Sequence, residues 1–218
     1  MSTAKRKIVI KADDKPKTHP KSFTIVKSTM TVMTIDIGLR NYAICVERFD
    51  KTAVEKCQNI EEVEKHGEIL FLDIFTLPGK ELSRVRDIDT HRALVELLRS
   101  LKDVFNEVNV VVIEQQLKQN PIAQKLEQAT YSIILCLYPH IKPLEYCASI
   151  KTKAYNKRFK VKKDRKNWAI DNGTRILESR GDNINLNILK STKKKDDMGD
   201  VISMVQAFKW WTINQRRL

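Results

Sequence analysis

The chain has 218 residues, 42% of them hydrophobic, which is enough for the core of one domain of ordinary size and excludes global disorder. Its 40 Lys and Arg against 27 Asp and Glu leave a formal charge of +13, which favours polyanionic partners such as nucleic acid. The longest apolar run, residues 131–138, is too short to span a bilayer, and no C-x-x-C pair or zinc-ligand spacing joins the four cysteines to a histidine, so neither a membrane nor a zinc site is expected.

Residues 1–28 carry eight Lys/Arg against two Asp, with two prolines and little periodicity. Such a segment buries too little apolar surface to offset its ordering entropy, so a disordered basic tail is expected ahead of a domain over 29–218. The tail could serve as a nucleic-acid arm, a targeting segment or an inert extension. It has no apolar secretory core, and an intracellular protein is expected. Residues 31–36 (TVMTID) and 42–47 (YAICVE) predict a hairpin turning at Gly38. A third strand is predicted over 68–76, closed by Pro78 and Gly79.

From 88 to 105 the apolar residues Ala93, Leu94, Leu97, Leu98, Leu101 and Phe105 recur at helical spacing. The β-branched run 108–113 (VNVVVI) then predicts a central strand buried on both faces. Pro121 suits the first turn of a helix reaching Leu137. A short fifth strand over 143–147 and a very basic loop over 151–166 follow. A helix over 165–179 stops near Gly181, and a last one runs from about Asp196 to Thr212 or beyond. Three strands followed by β–α alternation predict an α/β fold, an RNase H-like mixed five-stranded sheet flanked by helices.

Carboxylates stand at three places where a structural role is hard to supply. Asp36 lies in the apolar strand T-I-D-I-G, although aspartate is depleted in strands and costly to bury. Glu114 ends the central strand, and strand ends are where α/β sheets place ligand chemistry. Asp197 and Asp200, three apart in K-K-K-D-D-M-G-D-V, share one helical face. Each alone could be a turn former or a helix cap, Asp196 above all. Together they would repel one another unless a cation neutralised them, and hard magnesium with oxygen ligands is the natural occupant. Two such ions, with manganese as a substitute, can activate a water and stabilise the leaving oxygen in phosphodiester cleavage. Such chemistry needs no histidine, and His19, His66, His91 and His140 show no metal-binding spacing.

Residues 34–46 (TIDIGLRNYAICV) resemble the first hairpin of RuvC-type resolvases, and 113–128 (IEQQLKQNPIAQKLEQ) resemble that family's second motif. Residues 195–201 (KDDMGDV) are similar to the D-D-x-x-D closing motif of poxvirus and related mitochondrial resolvases. The chain thus resembles the Holliday junction resolvases of the RuvC and poxvirus type. Its extra length, in the tail and over 57–89, resembles the extensions of large DNA viruses. The resemblance implies a magnesium-dependent endonuclease cutting four-way junctions as a C2 homodimer, at a viral replication site in the cytoplasm. It implies Asp36, Glu114, Asp197 and Asp200 as the catalytic metal ligands, with Asp196 as a substitute for Asp197. It also implies a basic residue near the start of the penultimate helix, Lys163 or Lys166, beside the scissile phosphate. Gln115 either organises the site or contacts DNA, or is an ordinary strand-end polar residue.

DNA contacts are expected from Lys118 and from the basic loop, through Lys151, Lys153, Tyr155, Lys157, Arg158, Phe159, Lys160 and Lys162. The cations would hold phosphates and the aromatics would stack on distorted DNA. Three alternatives stay open. An RNase H-like nuclease would act on hybrids or flaps, and an architectural DNA-binding protein would use the acids as caps. An actin-like ATPase, suggested by I-D-x-G, lacks glycine-rich phosphate loops, with six glycines in the chain.

Overall fold

The computed structural model describes residues 28–78 and 88–215. The expected tail, apart from Ser28, and the segment 79–87 lie outside the described residues. The first hairpin pairs β1 (Thr29–Asp36) with β2 (Tyr42–Asp50), antiparallel, with Asp36 opposite Ala43. Strand β3 (Glu68–Phe75) joins β2 antiparallel, with a register shift between Val46 and Glu47. Strand β4 (Val110–Gln115) runs parallel to β1, and β5 (Lys142–Cys147) parallel to β4. The sheet order is β3-β2-β1-β4-β5, the mixed five-stranded sheet expected from the sequence.

Parallel pairs require crossovers. Helices α3 (Ile88–Ser100) and α4 (Lys102–Phe105) lead into β4, and α5 (Pro121–Leu137) leads into β5. The single helix expected over 88–105 is broken because Leu101 leaves helical geometry (φ −91°, ψ 17°). Helix α5 has its expected bounds, with Pro121 in the first turn and Asn120 Oδ1 accepting the Ala123 N–H.

Side chains alternate across each strand. Met33, Ile35, Val111 and Ile113 enter one core with Leu94, Leu98, Leu126 and Ile134 of α3 and α5. Val32, Cys45, Val110 and Val112 enter the other. That second face is covered by α7 (Lys162–Ser179), α8 (Asn183–Ser191) and α9 (Lys195–Phe208), through Ile176, Leu189, Val201 and Val205. A π-helical segment, Lys209–Asn214, continues α9. Helices α7 and α9 cross at Gly173 and Gly199, where a Cβ on Gly199 would stand 2.1 Å from the Ala169 carbonyl oxygen. No described helix is long and apolar enough to cross a membrane.

Four short helices escape the pattern reading: α1 (Lys51–Glu55), α2 (Ile60–Lys65), α6 (Ser149–Ala154) and α8. They are too short for hydrophobic periodicity to register. Asp50, Asn59 and Asp182 nevertheless cap α1, α2 and α8 with their side chains.

A buried polar network ties β2 and α2 to the helical layer. Glu47 is fully buried and accepts from Arg180 Nη1 (2.9 Å), Lys209 Nζ (2.6 Å) and Gln206 Nε2 (2.9 Å). Burial alone would raise the Glu47 carboxyl, but the two cations outweigh it and hold the group at about 2. Glu64 of α2 receives both Arg175 Nη atoms, at 2.7 and 2.6 Å, and the Tyr155 hydroxyl at 2.6 Å.

Candidate active site

The period-2 alternation that builds the second core also aims the acids. Val32 and Thr34 face α9, so Asp36, two residues on, shares their face. Val110 and Val112 likewise fix the direction of Glu114. The register that sets Ile35 beside Ile113 carries Asp36 to the level of Glu114. Helix α9 is docked on this end of the sheet by Thr34 Oγ1, which donates to the Val201 carbonyl at 2.9 Å. Asp200 is therefore brought to Glu114, with Asp197 one turn earlier.

At the centre of these acids stands Lys151 of α6, its side chain only 3% exposed. Its ammonium donates to Glu114 Oε2 at 3.0 Å. It also lies 3.0 Å from Asp200 Oδ1, at ion-pair distance but outside hydrogen-bond geometry. Burial and then Glu114, opposed by Lys151, push the Asp36 carboxyl well above the carboxylate range, with Asp200 and Asp197 adding to the rise. Burial, opposed by Lys151 and seconded by Glu114, also raises Asp200. Asp197 is pushed up to about 6, first by burial and then by Asp196. Burial lowers the charged form of Lys151, but Glu114, Asp200 and Asp36 outweigh it and raise the ammonium above the ordinary lysine range.

The other residues singled out from the sequence are more dispersed. Lys166 is ion-paired to Asp196, which accounts for Asp196 without a capping role, while Lys163 is exposed at the start of α7. Gln115 is exposed, and its Oε1 accepts the Cys147 thiol at 3.2 Å. Lys118, Lys153, Lys157, Arg158, Lys160 and Lys162 are all exposed. Three residues assigned to DNA contact pack against the protein itself. Lys151 is buried among carboxylates, because the basic stretch opens inside α6 rather than in a loop. Tyr155 gives its hydroxyl to Glu64 and sets its ring edge-on against Trp168 at 5.3 Å. Phe159 is half-buried with its ring 5.6 Å from that of Trp168. The aromatics thus anchor the segment to α7.

No model of a known protein family matches the chain. Two viral proteins are similar to it in sequence. Uncharacterized protein 97L of Invertebrate iridescent virus 3 is 25% identical over 205 residues, covering 81% of this chain and 98% of that protein. Uncharacterized protein 170L of Invertebrate iridescent virus 6 is 27% identical over 223 residues, covering 85% and 91%. In structure, the chain is similar to the yeast mitochondrial Holliday junction resolvase Ydc2. The TM-score is 0.54 at 15% identity, over 83% of this chain and 79% of that one. The fold is that of a Holliday junction resolvase.

Within this resolvase fold the donor set suits a hard divalent cation. It consists of carboxylate oxygens, of which buried Asp197 Oδ2 accepts no hydrogen bond. Among the described residues, however, no three Asp, Glu, His or Cys side chains already enclose a common point as a metal cage. Lys151 stands between Glu114 and Asp200 instead. One further residue escaped the sequence reading. Glu127 of α5 is buried and accepts the Gln116 N–H at 2.9 Å, while Gln116 Nε2 donates to the Glu114 carbonyl at 3.1 Å. It thereby holds the backbone just after Glu114. Its signal was local, since a glutamate inside the amphipathic run of α5 falls on the core-facing side.

Proposed function

We propose that the chain is a structure-selective endodeoxyribonuclease that resolves four-way DNA junctions by metal-dependent phosphodiester hydrolysis. A single convergence supports this. Carboxylates from β1, β4 and α9 lie within one another's field at one end of a resolvase-type sheet. Asp36, Glu114, Asp197 and Asp200 would hold magnesium, or manganese in its place. Bound there, the metal would supply an activated water and charge stabilisation at the leaving oxygen.

The chain itself supplies position and charge. Strands β1 and β4 hold Asp36 and Glu114 in a fixed register, and Glu127 restrains the turn that follows Glu114. The exposed cations Lys153, Lys157, Arg158, Lys160, Lys162 and Lys163 run from α6, whose Lys151 is in the acid cluster, into the first turn of α7. They form a phosphate track leading to the acids. Lys166, ion-paired to Asp196, sets a cation one residue from Asp197 in sequence. Two opposed strands must be cut to resolve a junction of two-fold symmetry, which is the task of a C2 homodimer. Its proposed place of work is a viral replication site in the host cytoplasm.

The test is cleavage of a strand-labelled synthetic four-way junction, with magnesium and with chelator, beside linear duplex, flap and RNA–DNA hybrid. Paired symmetric nicks that need the metal and favour the junction are expected. Preferential cutting of flaps or hybrids would overturn the junction assignment, and binding without any cutting would overturn the nuclease.

A further inference from the structure

An ammonium group is rarely buried, and a lone one is expensive to hold out of water. Lys151 is tolerated because Glu114 and Asp200 each stand 3.0 Å from its Nζ, with Asp36 adding to their field. The compensation is mutual. Without that ammonium, the same acids would face one another with no cation inside the cluster. A divalent metal bound to Glu114 and Asp200 requires oxygens at about 2.0–2.1 Å, in the space between them. The ammonium already occupies that space, and like charges cannot share it at such range.

We infer that Lys151 is a resident counter-cation of the acid cluster, and that divalent metal enters by displacing its ammonium from between Glu114 and Asp200. This inference rests on the metal-centre reading above and adds to it how the site is kept when unloaded. The exchange replaces one positive charge inside the cluster with the two that each incoming ion brings. Helix α6 need not move with it. Its C-terminal neighbour Tyr155 is tied to Glu64 at 2.6 Å, so the displacement is a swing of the lysine side chain toward solvent. Loading is therefore graded by competition, and the protein binds metal more weakly than its carboxylates alone would.

The decisive measurement is manganese affinity of the full-length protein and of Lys151→Met, by titration calorimetry and by electron paramagnetic resonance of free Mn2+. Methionine keeps an unbranched chain and removes the charge. The variant is expected to bind at least about tenfold more tightly, by the competition argument. It should also melt earlier than wild type in chelator and gain more from manganese. Equal or weaker affinity in the variant overturns the inference while leaving the metal centre standing. Absence of manganese binding in both proteins overturns the metal centre and the inference together. Should Lys151→Met fail to fold, the wild-type protein decides. Acetylation of Lys151 by acetic anhydride, followed by mass spectrometry, should be slow in chelator and speed up with manganese. A rate unchanged by manganese overturns the displacement.

Discussion

Asp36 ends a strand whose preceding four residues, Val32, Met33, Thr34 and Ile35, are fully buried. Its own carboxyl is half-buried and crowded by Glu114, Asp200 and Asp197. Asp36→Asn keeps the shape and removes one repelling charge, so the fold should survive intact. Junction cleavage should drop at least about a hundredfold, because even outer-shell changes at metal sites cost about 10–100-fold. Junction binding should persist, since the proposed phosphate track is elsewhere. Strand-labelled cleavage beside a gel-shift measurement checks both, and loss of binding in the folded variant would sink this separation of roles. Asp36 was legible in the sequence because a carboxylate within an apolar strand contradicts its surroundings. Lys151 was not. In its own stretch it is one cation among many, and what singles it out is Glu114, 37 residues away.

The two helices of the outer layer meet where neither has a side chain. Gly173 and Gly199 let α7 and α9 approach until backbone touches backbone, and Gly199 sits between two of the acids it helps to place. Gly199→Ala would drive a methyl group into the Ala169 carbonyl. The expected destabilisation is at the upper end of the about 1–3 kcal/mol typical of overpacking, read from urea unfolding. The tilt of α9 would change with it, so cleavage should fall further than stability.

The Glu47 network binds the same layer to β2 and carries a pH signature. The folded group sits at about 2, below its ordinary 4.5, so the unfolded chain takes up more protons between those values. Its contribution, on the order of 3 kcal/mol, is complete above pH 4.5 and fades as the pH falls toward 2. Urea midpoints of wild type and Glu47→Gln should differ most at neutral pH and converge across that window. A constant gap would show that Glu47 is not held charged. Strands and long helices were legible because their periods repeat. The network was invisible because it joins β2, α2, α7 and the segment after α9 through single polar residues without period.

Across the whole molecule, the proposed function requires a +13 chain with an acidic centre to hold DNA by its periphery. Each phosphate neutralised contributes roughly −0.9 to the slope of log affinity against log salt. Replacing Lys157, Arg158 and Lys160 with Ala together should flatten that slope by about one per residue and weaken all DNA shapes alike. A change confined to junctions would assign these cations to shape selection. The mixed five-stranded sheet was readable at this scale because strand–helix alternation restricts the topologies open to a chain. The position of α6 was not, since a helix of six residues leaves no pattern. One join holds the acid-bearing ends together, the Thr34 hydroxyl on the Val201 carbonyl, 167 residues apart. At about 5–20 residues per second of synthesis, roughly 10–30 s separate those two residues on the ribosome. Through that interval the nascent chain carries Asp36, and later Glu114, without the helix that completes them, so on the proposed nuclease reading a half-made copy has no complete acid cluster with which to cut.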